Sequence, residues 1–460
     1  MSSAGGNSTE VGTEELRART RALFDDISAD LAALIRIPSV SAPSFDPQEV
    51  DRSAAAVAEL LRGAGMSDVE VLRSPQEGEA GAPAVIGHRP GPPGAPTVLL
   101  YAHHDVQPPG DAAQWTTPAF APDVRGGRMF GRGSADDKAG IMAHVGALRV
   151  LGDELPVSVT VFIEGEEEIG SPTFASFLRA HRDRLAADVI VVADSSNWAV
   201  GTPALTTSLR GLVDCIVEVT VATSASHSGI FGGPVLDAHT VLSRLIATLH
   251  DGNGDVAVAG LSRGAGSDVV YPESEFREQA ATVASLELAG TGSLAERLWL
   301  APAINVIGID ATPISAAANN IVPSARAKLS LRVAPGQDPA AAEQALFDHL
   351  RSHVPLGARM RIVPGERGQA FLADTHGSAS RAARRALEAA WGREPVEIGM
   401  GGSIPFIADL AAEFPHAQIL ITAVADPQSR THAADESVDM GDLEKAVLAE
   451  ALLLRLLAAG

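Results

Sequence analysis

Cysteine is almost missing from this chain: among 460 residues there is one, Cys215. A disulfide framework within the chain is excluded, and any metal has to be held by oxygen and nitrogen rather than by thiolates. Basic residues are short against acidic ones, 35 Lys and Arg to 57 Asp and Glu, and a formal net charge of -22 argues against nucleic acid or an anionic membrane as partner. No apolar run reaches the length of a membrane span. The opening stretch MSSAGGNSTEVGTEE has no basic region followed by an apolar one, so no secretory signal is read and the expected location is the cytoplasm. Internal repeats and long low-complexity tracts are absent too. What remains is a chain 46% hydrophobic but only 4% aromatic, the balance of an α/β enzyme rather than a disordered or fibrous protein. Its length exceeds one ordinary core, so a large domain plus a second one is expected.

The richest stretch in chemistry is Val161 to Gly170, VFIEGEEEIG, where an apolar strand-like run ends in Glu164, Glu166, Glu167 and Glu168. Adjacent carboxylates at a strand end repel one another, and in a cleft of low dielectric they persist only if cations neutralise them or one stays protonated. Similar endings recur. PTVLLYAHHD (Pro96 to Asp105) is an apolar strand delivering His103, His104 and Asp105; ADVIVVA (Ala187 to Ala193) ends at Asp194; and GRGSADDKAG turns on Gly131 and Gly133 and enters a helix near Asp136. Open α/β sheets place ligands at the carboxyl ends of their strands. The glycine pair reads as a turn device, because GRGSAD lacks the third glycine of a dinucleotide fingerprint.

Before these strands, Met1 to Gly12 reads as a frayed tail and a helix is expected from Thr13, with another over Glu49 to Gly65. The pattern changes near Ala204. Strand Asp214–Ala222, helix Asp237–His250, strands Ile304–Ile309 and Ala325–Val333, helix Pro339–His353 and strand Arg359–Val363 give the order βαββαβ, which matches a ferredoxin-like sandwich with an insertion between Asp251 and Ala303. After His376 the α/β character resumes, with helix Ser380–Trp391, the loop GMGGSIP, strand Gln418–Val424 and a closing helix Asp442–Leu457. The expected fold is α/β: a mixed-sheet catalytic domain in two chain segments, 13–207 and 379–460, with an inserted ferredoxin-like lid or dimerisation domain over 208–378.

Taken singly, a histidine at a strand end is usually hydrogen-bonded and structural, and an Asp before a helix is usually its cap. The set His103, Asp136, Glu168, Asp194 and His432 is different. Nitrogen and oxygen donors from separate strand ends, including a carboxylate able to bridge, are what a two-metal hydrolase needs to polarise a carbonyl and bring a shared water to a pKa of about 7. Asp105 can reach the far nitrogen of His103 and fix its tautomer. Glu167, beside Glu168 but pointing elsewhere, is free to take the proton of that water. Glu166 reads as a solvated neighbour and His104 as a structural or supporting group.

Several separated motifs resemble the dinuclear metallopeptidases that include carnosine dipeptidases, aminoacylases, bacterial dipeptidases and succinyl-diaminopimelate desuccinylase: YAHHDVQPP, GRGSADDKAG, EGEEEIGS, VVADSSNW and SRTHAADES, together with SASHSGIFGG, NIVPSARAKLSLRVAP and GGSIP. The resemblance implies His103, Glu168, His432 and Asp194 as terminal ligands, Asp136 as the bridge, a cis Asp136–Asp137 peptide, Glu167 as general base and Asp105 as the partner of His103. It implies two divalent ions per subunit, zinc first, with manganese or cobalt accepted by the same donors. His227 is similar to a lid histidine that reaches a neighbouring subunit's site and stabilises the oxyanion, which implies a homodimer through the inserted domain. Arg332 and Asn320 resemble groups that bind the substrate's carboxylate and carbonyl regions; Gly402 and Ser403 resemble the loop completing the pocket. Asp194, where other branches carry Glu, tilts the reading to a dipeptidase acting on small peptides, with an N-acyl-amino-acid hydrolase or carboxypeptidase as the runner-up. Gly399 and Met400 stand where carnosine dipeptidases carry an Arg-Glu pair, which tells against β-alanyl specificity. A metal-buffering scaffold without activity is the competing class.

Overall fold

The computed structural model describes residues 4–74, 81–264, 266–402 and 404–459. By its internal contacts the chain divides into two compact units. One comprises the described residues up to Thr207, then Ala373–Ile398 and Asp409 onward; the other comprises Ser208–Leu372 and Gly399–Ala408.

The first unit is built on a mixed sheet. Its strands lie in the order Ser67–Leu72, Ala84–Arg89, Ser158–Glu164, Thr97–His103, Val189–Val192, Gln418–Ile421 and Ala204–Leu209. The strands from Ser158–Glu164 to Gln418–Ile421 run parallel, and their immediate neighbours Ala84–Arg89 and Ala204–Leu209 are antiparallel to them. Parallel strands covered on both faces need near-continuous apolar runs, which TVLLYAH and VIVV supply: every residue of the second and all but the first of the first are buried. The helix Lys138–Leu151 is buried on every side, with only Arg149 excepted. That follows from its sequence, which is apolar around the whole helix rather than along one stripe. The first helix spans Ala4–Ile35 and so starts well before the expected Thr13. Nothing between Ala4 and Gly12 is a proline, so nothing obliges the helix to stop there. A small sheet of Asp123–Arg125, Arg128–Phe130 and Ser437–Asp439 escapes sequence patterning because its strands are too short to show alternation.

The second unit has its own core, centred on Val213, Cys215, Val217, Leu245, Leu329, Leu331 and Leu346. Strand Gly211–Thr220, helix Ala238–Ala247, strands Ala303–Asp310 and Ser324–Val333, helix Pro339–Ser352 and strand Arg359–Gly368 follow one another along the chain. The antiparallel sheet order is 303–310, 324–333, 211–220, 359–368. Helix Ala238–Ala247 buries Ala238, Val241, Leu242 and Leu245, the spacing of one helical face, and begins at Asp237, whose carboxylate accepts the Thr240 N–H. Helix Pro339–Ser352 starts the same way, with Asp338 capping and Pro339 in the first turn, where its missing N–H costs nothing. Among the described residues no helix is long and apolar enough to cross a membrane.

Candidate metal centre

The parallel strands end together. His103 pairs in register with Glu164, and Tyr101 with Val192, so the residues that follow each strand, including Glu166–Glu168 and Asp194, emerge at one edge of the sheet. Asp136 is presented by the loop ahead of helix Lys138–Leu151, through a cis Asp136–Asp137 peptide, and His432 by the loop after strand Gln418–Ile421.

These side chains meet. Asp136 Oδ1 lies 3.0 Å from His103 Nε2 and its Oδ2 lies 2.9 Å from His432 Nε2, so each carboxylate oxygen faces one imidazole. His432 Nε2 is also 3.2 Å from Glu168 Oε2. One donor atom each from His103, Asp136 and Glu168 lie within 4.8 Å of one another, and the same holds for His103, Asp137 and Asp194. Asp137 is the member that sequence reasoning missed; the doubled Asp in SADDK was its only signal. Its Oδ2 accepts the His103 N–H at 3.2 Å, while Oδ1 is buried with no hydrogen-bond partner among the described residues. Glu167 Oε2 stands back, 4.0 Å from His103 Nε2.

Charge explains what such a cluster requires. Burial pushes the Glu167 carboxyl up to about 9, with the neighbouring Asp194 and Glu168 charges adding to it against the opposing pull of His103. Burial raises Asp194 to about 7, with Asp136 and Glu168 adding. Asp136 is different: hydrogen bonds from His103 and His432 outweigh its burial and hold it below the usual carboxylate range. His432 is pushed up to about 10 by its bonds to Asp136 and Glu168. The site therefore draws in positive charge, as protons on imidazole and carboxyl groups or as cations. Imidazole and carboxylate donors, with the one thiol buried in the other unit's core, suit divalent ions of borderline or hard character.

Supporting groups fix the donors in place. His103 Nδ1 lies 3.0 Å from the Asp105 carbonyl oxygen, so in the neutral ring that nitrogen carries the hydrogen and Nε2 keeps its lone pair for a cation. The Asp105 carboxylate, 3.4 Å from the same Nδ1, also accepts the backbone N–H groups of Glu167 at 3.2 Å and Glu168 at 3.1 Å, tying the acidic loop to the histidine strand. Gln107, which sequence reasoning missed, donates its N–H to Glu168 Oε1 at 3.0 Å and its side-chain amide to Oε2 at 2.8 Å and to the Glu168 carbonyl at 3.0 Å. Glu166 is not solvated: only 5% exposed, it accepts the Ala82 N–H at 3.0 Å and the Thr173 N–H at 2.7 Å, because the loop's own unpaired backbone donors need an acceptor. His104 is buried and structural, with Nε2 2.8 Å from the Pro83 carbonyl. A Cβ at Gly165 would lie 2.4 Å from that oxygen and 2.7 Å from the same nitrogen, so only glycine fits between them.

In the second unit, His227 Nδ1 accepts the Gly229 N–H at 3.1 Å, and His227 pairs in register with Asn320; both are exposed. Arg332 lies opposite Leu212 on strand Ser324–Val333 and has no carboxylate partner among the described residues. Arg210, another residue missed from sequence, donates to the Gly401 carbonyl at 3.2 Å and the Ala301 carbonyl at 3.3 Å, and its N–H to the Met400 carbonyl at 3.2 Å, fastening the glycine-rich segment within this unit. Gly402 is half-buried there; Ser403 lies outside the described residues.

The comparisons with known proteins agree with one another. Residues 99–456 match the model of the peptidase family M20/M25/M40. A cysteinylglycine-S-conjugate dipeptidase of Corynebacterium striatum is 34% identical over 393 residues, covering 84% of this chain and 86% of that one. A Cys-Gly metallodipeptidase of Schizosaccharomyces pombe is 26% identical over 449 residues, 92% of this chain and 94% of the relative. The crystal structure of human carnosine dipeptidase 1 shares the fold with a TM-score of 0.76 at 24% identity, over 97% of this chain and 99% of that one. By the span of the family match and the identity to its bacterial relative, this chain belongs to peptidase family M20/M25/M40.

Proposed function

We propose that the protein is a metal-dependent dipeptidase whose centre is held by His103, Asp136, Glu168, Asp194 and His432. The observation that carries this reading is the Asp136 carboxylate set between two imidazoles, one oxygen to each, at the sheet edge where the remaining carboxylates converge. Two divalent ions bound there, zinc first with manganese or cobalt as alternatives, would polarise the scissile carbonyl and bring a shared water to a pKa of about 7. Glu167 accepts the proton of the attacking water and returns it to the leaving amine. Its carboxylate oxygen, 4.0 Å from His103 Nε2, stands beside the donors, within reach of a water held there. Asp105 orients His103 and keeps the backbone of Glu167 and Glu168 in place.

The second unit supplies recognition in this reading. With its Nδ1 accepting from Gly229, neutral His227 carries its hydrogen on Nε2, where it donates to an oxyanion. The Arg332 guanidinium, without a carboxylate partner among the described residues, forks onto the substrate's carboxylate, Asn320 meets the carbonyl region, and Gly402 belongs to the loop that completes substrate binding. The unit is read as the ferredoxin-like lid and dimerisation domain over 208–378, set within a catalytic domain of 13–207 and 379–460. Its outermost strand Ala303–Asp310 leaves Val306, Ile307 and Ile309 exposed by 37, 57 and 56%, an apolar edge suited to an isologous contact.

Chelation followed by add-back of zinc, manganese or cobalt, assayed on dipeptides, N-acyl amino acids and β-alanyl peptides, tests the activity. Dipeptides with a free α-amino group should be turned over only with ion restored. Hydrolysis confined to N-acyl amino acids would instead favour the acylase or carboxypeptidase alternative, and no turnover under any ion would leave a metal-buffering scaffold. The trans role of His227 is tested by co-expressing Glu167→Ala and His227→Ala chains. Each homodimer lacks one group at both sites, whereas a mixed dimer completes one site, so random assembly should restore about a quarter of wild-type activity. An isolated mixed dimer without activity would refute it.

A further inference from the structure

A buried acid that is not a metal-ligand candidate links two parts of the centre that lie far apart in the chain. Glu436 is 0% exposed. Its Oε2 accepts Arg132 Nη1 at 2.7 Å and the Gly133 N–H at 3.0 Å, while its Oε1 accepts the N–H groups of Ala135 at 2.9 Å and Asp136 at 3.1 Å. Its own carbonyl takes the Gly131 N–H at 2.9 Å, and the next residue, Ser437, opens the strand that pairs with Arg128–Phe130. The loop that carries Asp136 is thus folded around one carboxylate, a nest of backbone donors closed on an anion. Gly133 makes the wrap feasible: its φ is +81°, and a Cβ there would lie 2.5 Å from Val106 Cγ1. The segment bearing Glu436 also bears His432, which reaches Asp136 from the opposite side.

We propose that Glu436 is the positioning residue of this centre: by gathering the N–H groups of Gly133, Ala135 and Asp136 onto two oxygens, it sets the Asp136 carboxylate against both His103 and His432. The inference rests on the two-ion reading above. Because Asp136 would serve both ions, loosening its loop weakens both together. The competing account gives Glu436 no such part and has it only neutralise Arg132, itself buried at 1% exposure.

Ion binding to the metal-free protein separates the two accounts. In Glu436→Gln, an amide NH2 replaces one of the accepting oxygens, so two of the four donors lose their acceptor and Arg132 is left without a counter-charge. The double variant Arg132→Met with Glu436→Gln removes the charge imbalance but not the loss of acceptors. Zinc titration should show affinity at both positions lowered by about 10–100-fold in the single and the double variant alike. Hydrogen exchange measured without metal should be faster over residues 131–137 in both. Should Gln at 436 not fold, Glu436→Asp, which keeps the charge but draws the oxygens back by a methylene, carries the same test. Wild-type affinity in the double variant, or a lowered melting temperature with both affinities intact in the single, overturns the positioning role. If wild-type protein itself takes up fewer than two ions, it is the two-ion reading that fails, and this role goes with it.

Discussion

If Glu167 is the proposed general base, Glu167→Gln should lower turnover by roughly two to four decades, with both ions still bound. The substitution is nearly isosteric, and the groups that hold the acidic loop do not depend on the Glu167 side chain: Asp105 accepts the backbone N–H groups of residues 167 and 168, and Gln107 holds the Glu168 carboxylate. Glu167 belongs to neither of the two groups whose donor atoms lie within 4.8 Å of one another among the described residues. Glutamine leaves the donor set itself unchanged, so each ion keeps its ligands. Metal analysis beside single-turnover kinetics checks both halves. A metal-depleted variant would make Glu167 a ligand, and a near-normal rate with two ions bound would leave the proton transfer to another group.

Asp136→Ala should have the other large effect and, if Asp136 serves both ions as proposed, should lower affinity for both at once. Each oxygen of Asp136 faces a different imidazole, so no neighbouring carboxylate can replace it from one side. The fold should survive, because Glu436 holds this loop through the backbone N–H of residue 136, which alanine retains. Loss at both positions should exceed the 10–100-fold, in round terms, that outer supporting groups contribute. Calorimetric titration with zinc or manganese measures it. Loss of a single equivalent, with the other held at wild-type affinity, would refute the bridge and leave Asp136 serving one ion only.

The parts of the site that sequence made legible share one property: their signal is local. VFIEGEEEIG and YAHHD show an apolar strand and its polar terminus within a few residues, and the parallel ladder His103 to Glu164 places those termini side by side as open α/β sheets do. The βαββαβ order could be read because each element is long enough to display its period. What stayed hidden depends on partners far off in the chain. Glu166 looked like one more charge in an acidic run until Ala82 and Thr173 claimed it. Nothing near Glu436 announces Arg132 or the loop of residues 131–136, and Gln107 looks like an ordinary loop residue until Glu168 comes against it. Arg210 is likewise defined by Ala301 and Gly401. Pairings of this kind are set by topology, and local patterning carries no trace of them.

The position of His432 and Glu436 in the chain has a consequence for how the protein is made. A ribosome delivers His103, Asp136, Glu167, Glu168 and Asp194 early, then the whole of the second unit, and only afterwards the segment with the remaining imidazole and the acid that grips the Asp136 loop. Domains generally acquire structure as units while synthesis proceeds. Throughout that interval the nascent first segment carries a crowded set of carboxylates without the strand Ser437–Asp439, the Glu436 anchor or His432. Such a chain can collapse around its apolar strands, but its donor cluster still lacks the second imidazole and the anchor of the Asp136 loop. The order of the sequence therefore completes the candidate centre last.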